Sequence, residues 1–180
     1  MISTSGSRLL TDDATQAIYT DLLPSTHILT PNIPETLYLL KLPEGSIKSV
    51  SDMKNAAVAL AKLGPRFVLI KGGHNPMMKD GSQISDGDNG EIVVDVLYNS
   101  EREIFEVIQK AFIISKHTHG TGCSLASAIA SNLARGLDTV DAVKEASKYI
   151  AWAIETAPGF GKGNGPINHL HSLKISPFAP

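Results

Sequence analysis

The chain has 180 residues, 42% of them hydrophobic and 19% charged, with 16 Lys+Arg against 18 Asp+Glu and a net charge of −2. That composition is ordinary for a globular protein with one real core, and the charge gives no bulk electrostatic reason for a nucleic-acid or membrane partner. One cysteine excludes an internal disulfide and a cysteine-based metal site and fits a reducing, cytoplasmic compartment; no apolar run reaches membrane-spanning length, and the first residues do not read as a signal peptide.

Residues 1–8 are small and polar and read as a loop. Thr11 then caps a helix with Asp12 and Asp13 in its first turn, Ala14, Ile18 and Leu22 on one face, and Pro24 at its end. His27-Ile28-Leu29-Thr30 reads as a short buried strand. The prolines of Thr30-Pro31-Asn32-Ile33-Pro34-Glu35 break it, and Pro34 suits the first turn of a helix through Leu40. Asn32 and Glu35 stand at a strand's carboxyl end, where α/β proteins place ligands; a helix cap with an acidic first-turn residue explains the same spacing, and spacing alone favours the cap.

Residues 49–64 form an amphipathic helix, with Ser51 as candidate cap, Met53, Ala57, Leu60 and Ala61 on one face and Gly64-Pro65 as the stop. Phe67-Val68-Leu69-Ile70 is a continuous apolar run, typical of a strand covered on both faces. It ends in Lys71-Gly72-Gly73-His74, where the lysine either reaches a phosphate or is an ordinary solvated end. Residues 75–90 are a Gly/Asp/Asn/Ser loop. Residues 91–98 and 103–108 read as two strands joined by a hairpin, and 111–114 as a further short strand. Asp138 caps a last helix whose face is Ala142, Val143, Ala146, Ile150, Ala153, Ile154 and Ala157, with Tyr149 and Trp152 flanking it as core residues. Strands alternating with helices predict a parallel α/β sheet.

The stretch Thr118-His119-Gly120-Thr121-Gly122-Cys123 runs into a helix marked by Leu125, Ile129 and Leu133, with Gly136 as its stop. Glycines at a helix start let another group approach amides that lack intrahelical partners, and the helix dipole adds positive potential there. The expectation is an anion site, with a tight turn as the bland reading. Cys123 lies at its mouth, where positive potential favours a thiolate, although a lone cysteine in a first turn is more often a small packed residue. The pairs His117/His119 and His169/His171 lack an obvious third ligand and are not read as a metal site.

These stretches carry a likeness. Thr118 to Cys123 leading into Leu125-Ala126-Ser127-Ala128-Ile129-Ala130 resembles the signature of the hydroxymethylpyrimidine/phosphomethylpyrimidine kinases, thiamine-biosynthesis enzymes of the ribokinase-like superfamily. Further segments resemble the family in its own order: Ser3 to Leu9, Leu29 to Glu35, Val68-Leu69-Ile70-Lys71-Gly72-Gly73-His74, Asp95-Val96-Leu97 and Gly165-Pro166-Ile167-Asn168-His169. The wording of residues 118–135 and 165–169 is similar to fungal members.

The resemblance implies a ribokinase-like three-layer α/β/α sandwich over residues 1–180 as one kinase domain. It implies magnesium-ATP as donor and a small pyrimidine, its alcohol or its monophosphate, as acceptor. Amides around Gly120, Thr121 and Gly122 would form the anion hole, and Cys123 would take the hydroxyl proton. Lys71 would contact ATP phosphates. Asn32 and Glu35 would position magnesium and its waters, Glu35 as the metal-side carboxylate. Thr118 and His119 would shape the loop, and Gly165 would sit by the nucleotide. No nucleic acid or membrane is implied, and a homodimer stays open.

The family pattern also predicts a segment ahead of Met1 that supplies the first strands, an Asp near the phosphates and much of the pyrimidine pocket, so the chain reads as N-terminally truncated. His117 departs from the pattern, which calls for a small polar residue there. Three other readings remain: a non-catalytic paralogue that keeps partial nucleotide binding, a pyridoxal-type kinase differing in acceptor, and a thiol hydrolase. The last needs a histidine held against Cys123, and His119 is too near in sequence for that.

Overall fold

The computed structural model describes residues 11–73, 76–78 and 90–173; the segment 3–9, His74 and most of the loop at 75–90 lie outside the described residues. The chain divides into two compact units, Met1–Phe112 and Ile113–Pro180.

In the first unit, α1 (Asp12–Ala17) begins at Thr11, whose Oγ1 accepts the Ala14 amide at 3.3 Å. It does not run to Pro24 as a single helix. The chain widens into a π turn at Ile18–Leu22 and tightens into a 3-10 turn at Leu23–Ser25. Pro24 has no amide to donate and its ring crowds the carbonyl four residues back, so regular α pairing cannot pass it. The Thr20 and Thr26 hydroxyls bond the Gln16 and Leu22 carbonyls at 3.2 and 2.7 Å along this stretch.

β1 (Ile28–Leu29) is half-buried rather than buried, because it is an edge strand of the sheet. α2 (Ile33–Leu40) and α3 (Val50–Ala61) both start with capping boxes. For α3 the cap is Ser49, not Ser51. Ser49 Oγ accepts the Asp52 amide at 3.1 Å, and Asp52 Oδ2 accepts the Ser49 amide at 2.9 Å. A Ser with an acid three residues on satisfies two orphan donors at once, which Ser51 cannot do.

The sheet has the order β1-β2-β3-β4, with β2 at Phe67–Ile70, β3 at Ile92–Asn99 and β4 at Ile104–Ala111. Only β1 and β2 are parallel; β2–β3 and β3–β4 are antiparallel. The expected parallel sheet is therefore a mixed one. The tight turn between Asn99 and Ile104 leaves no length for a crossover, so β4 must return beside β3. No separate strand forms at 111–114. Ala111 ends β4, and the Phe112 amide makes one more bond, to the Glu91 carbonyl at 2.8 Å.

The core of this unit joins Met53, Ala57 and Leu60 of α3 to Val68, Ile70, Val94 and Val96 of the central strands. β2 is buried on both faces and reads as unbroken apolar sequence, whereas β4 alternates and leaves Ile104 and Val107 exposed.

In the second unit, α4 (Thr121–Ala134) and α5 (Thr139–Glu155) pack together. α4 buries Leu125 and Ile129, and α5 buries Ala142, Val143, Ala146, Ile150 and Ala153, the stripe its spacing predicts. Asp138 caps α5 by accepting the Asp141 amide at 3.0 Å, and Asn132 Nδ2 donates to the Ala142 carbonyl at 3.1 Å. Trp152 is not a core residue. It is 61% exposed, and its ring meets His171 edge-on at 6.0 Å. The tail folds back on α5, with the Asn168 amide on the Ala153 carbonyl at 2.8 Å and the Tyr149 hydroxyl donating to the His169 carbonyl at 2.9 Å. Among the described residues no helix is long and apolar enough to cross a membrane.

Candidate functional site

The first group of predicted residues surrounds the ends of β1 and β2. Asn32 is the cap of α2: its Oδ1 accepts the Glu35 amide at 2.8 Å, while Glu35 Oε2 accepts the Asn32 amide at 3.0 Å. The cap that spacing favoured is what the structure shows, and it fixes a half-buried carboxylate in one orientation at a strand's carboxyl end. A parallel bridge between Asn32 and Lys71 carries the β1–β2 pairing past the strand ends, and the Lys71 amide donates to the Pro31 carbonyl at 2.9 Å. Lys71 Nζ donates to the Thr30 carbonyl. Asn32, Glu35 and Lys71 thus lie together at the ends of β1 and β2.

One residue at this turn had no role assigned from sequence. Asp95 on β3 is 1% exposed. Its Oδ1 accepts the Gly72 amide at 3.0 Å and its Oδ2 is paired with Lys110 Nζ. Lys110 lies on β4, diagonal to Asp95 in the register that sets Asp95 opposite Ile108 and Val93 opposite Lys110. The β2–β3 ladder is described to Ile70↔Val96, so the carboxylate takes the donor that comes next on that side. A Cβ on Gly72 would lie 2.2 Å from the Val94 carbonyl oxygen, so only glycine passes there.

The second group is the start of α4. Gly120 is its N-cap, with φ 86° and ψ 0°, in the left-handed region that favours glycine. No side chain caps this helix. The Thr121 amide is turned back to the Thr118 carbonyl at 3.3 Å, and the Ser124 amide makes the first helical bond, to the Gly120 carbonyl at 2.9 Å. Among the described residues the Gly122 and Cys123 amides meet no backbone acceptor. A Cβ placed on Gly120 or Gly122 meets nothing within 4 Å, so the space over them is open. Cys123 is exposed. A helix start with positive dipole potential and exposed amides is the kind of place that can receive an anion.

The tail closes around this loop. His119 and Pro166 form a parallel bridge, the His119 amide donates to the Gly165 carbonyl at 3.4 Å, and Ser124 Oγ shares a hydrogen bond of 2.9 Å with His169 Nε2. Gly165 is therefore held beside the Thr118–Cys123 loop. The His117 ring lies against it: a Cβ on Gly165 would fall 2.3 Å from His117 Nδ1 and 3.2 Å from the Phe160 carbonyl oxygen. The departure at His117 is accommodated by a glycine that leaves room for the ring. The Ser124–His169 link escaped sequence reasoning, since nothing local joins residues 45 positions apart. Among the described residues no group of three His, Cys, Asp or Glu could hold a metal ion. Magnesium in phosphoryl transfer needs only one or two carboxylates together with waters and substrate phosphates, which the fixed Glu35 carboxylate fits.

The sequence pattern of the phosphomethylpyrimidine kinase family matches residues 1–168. The chain is 41% identical to a putative hydroxymethylpyrimidine/phosphomethylpyrimidine kinase of Schizosaccharomyces pombe, over all of this chain and 33% of that protein. It is 36% identical to the hydroxymethylpyrimidine/phosphomethylpyrimidine kinase of Bacillus subtilis, over 94% of this chain and 56% of that one. Among solved structures, the pyridoxal kinase of Staphylococcus aureus in complex with AMP-PCP is similar with a TM-score of 0.77 at 26% identity, over 97% of this chain and 57% of that one. The chain thus spans about a third of its fission-yeast relative and just over half of the bacterial ones. The α/β, ribokinase-like fold expected from sequence is the fold of these neighbours, and the chain belongs to the phosphomethylpyrimidine kinase family.

Proposed function

We propose that the chain carries the phosphate-handling residues of an ATP-dependent hydroxymethylpyrimidine or phosphomethylpyrimidine kinase, residues 1–180 being part of one kinase domain. The observation that carries this is the start of α4, where among the described residues the exposed Gly122 and Cys123 offer amides with no backbone acceptor. Family membership supports phosphoryl transfer as the chemistry of that site.

In this reading the acceptor oxygen of the pyrimidine attacks the γ-phosphorus of ATP, the bond to the β-phosphate oxygen breaks, and ADP leaves. Cys123 Sγ takes the proton from the attacking hydroxyl of the alcohol substrate; a phosphate acceptor needs no base. The transferring group gathers charge on its equatorial oxygens, and preorganised amides stabilise it without reorganising. Gly120, Thr121 and Gly122 were expected to supply them. The Thr118 carbonyl already engages the Thr121 amide, so we assign the work to Gly122 and Cys123, with Gly120 setting the turn. Thr118 and His119 hold the loop, Gly165 keeps the tail beside it, and Lys71 balances nucleotide phosphate charge. Asn32 and Glu35 would hold magnesium through water; the ion supplies charge neutralisation on the phosphates.

The test is ATP-dependent phosphorylation by the purified chain with magnesium, offering hydroxymethylpyrimidine, its monophosphate and pyridoxal in parallel. Turnover of either pyrimidine supports the proposal. The likeness to a pyridoxal kinase gives a second reading, and turnover of pyridoxal alone would select it. Nucleotide binding with no turnover of any acceptor would leave the non-catalytic reading.

A further inference from the structure

Resting on the kinase reading above, we infer that Asp95 is a positioning residue for the nucleotide: it fixes the Lys71–Gly73 turn through the Gly72 amide. Lys71 and Gly72 are clamped from two sides. The Lys71 amide is held by the Pro31 carbonyl at 2.9 Å, and the Gly72 amide by Asp95 Oδ1 at 3.0 Å. Successive amides of an extended chain point to opposite sides, so the pair pins the backbone across its width. The close pass of Gly72 over the Val94 carbonyl allows no side chain to do this work locally.

A buried carboxylate is a costly way to accept one backbone bond. Lys110 offsets the charge, yet an apolar pair would fill the same space without that cost. What an apolar pair cannot do is accept the Gly72 amide. The acceptor is therefore the property that the fold uses, and its consequence falls on Lys71, one residue upstream. A phosphate-binding group that is displaced loses part or all of its contact, here at most the roughly tenfold that one charge-assisted contact is worth.

The experiment compares two double variants with the full chain. Asp95→Asn/Lys110→Gln keeps an acceptor for Gly72 and removes both charges. Asp95→Leu/Lys110→Met removes the acceptor as well. Thermal melts, magnesium-ATP affinity by calorimetry and hydrogen exchange of the Gly72 amide are read on each. The expected result is ATP affinity within about twofold of the parent for the amide pair and up to about tenfold weaker for the apolar pair, the most that losing the Lys71 contact would cost, with fast Gly72 exchange only in the latter.

Equal affinity in the two variants overturns the inference, as does a Gly72 amide still protected in the apolar pair. If the apolar pair does not fold, the amide pair alone decides. A tenfold loss of affinity with a parental melt would show that charge, not the acceptor, matters, and would overturn the inference; retained affinity with a protected Gly72 supports it. A parent chain that binds no magnesium-ATP overturns the kinase reading itself, an outcome seen before any variant is made.

Discussion

The Lys71 turn and the start of α4 treat their backbone donors in opposite ways. At the first, the amides of Asn32, Glu35, Lys71 and Gly72 all have acceptors, two from the capping box, one from Pro31 and one from buried Asp95. At the second, no side chain caps the helix, and the Gly122 and Cys123 amides have no backbone acceptor among the described residues. α3 and α5 show that this chain caps helices elsewhere, with the Ser49–Asp52 capping box and with Asp138 on the Asp141 amide. Among the described α-helices only α4 starts without a side-chain cap, and its exposed first-turn amides are left to water or to a ligand. In the proposed function, the difference separates a turn that holds a side chain still from a turn that receives charge.

The strongest way to break that contrast is at Cys123. Cys123→Ala leaves the backbone amides in place and removes the thiol. Phosphorylation of the hydroxymethyl acceptor should fall about 10²–10⁴-fold while magnesium-ATP affinity stays within error. Unchanged turnover would remove Cys123 as the base. Lys71→Ala should instead weaken ATP binding by about tenfold, the loss of one charge-assisted contact; unaltered affinity in calorimetry would argue against its assignment. Gly165→Ala pushes a methyl into His117 and the Phe160 carbonyl. It should cost about 1–3 kcal/mol of stability and loosen the tail from the loop. A parental melting temperature would show that the close fit at His117 is slack.

The smallest effect concerns the filled caps. The Asp52 carboxyl is held below the usual carboxylate range by the Lys48 backbone amide first and the Ser49 hydroxyl next. The unfolded chain therefore binds this proton more readily than the folded one. The cap's contribution is fully present above the ordinary carboxylate range and is lost as pH falls through the lowered folded value. Asp52→Asn should thus melt below the parent near neutral pH, with the gap closing in acid. A gap that persists unchanged in acid would contradict the electrostatic part of this cap.

The regularity of these elements was legible where a short stretch decides them. Leu125 and Ile129 gave α4, the alanine-rich stripe gave α5, and Gly120 marked the helix start before its dihedrals were known. The hairpin of β3 and β4 was legible in residues 91–108, but the antiparallel pairing of β2 with β3 was not, because that strand direction depends on a connection that local pattern does not encode. Ser49 was missed as a cap because Ser51 sits closer to the apolar repeat, although Asp52 three residues on was the available signal. Trp152 looked like core because its size outweighed its place on the outer side of the α5 stripe. Asp95 and His169 act on partners 23 and 45 residues away, so their hydrogen bonds exist only once the chain is folded.

The most direct measurement is an amide-resolved titration of the 180-residue chain with magnesium and AMP-PCP, followed by nuclear magnetic resonance. Saturable shifts that are largest at Gly122 and Cys123, with the Thr121 amide moving less, are the predicted result. A titration that saturates while those two amides stay still would contradict the assignment of the α4 start as the phosphate site.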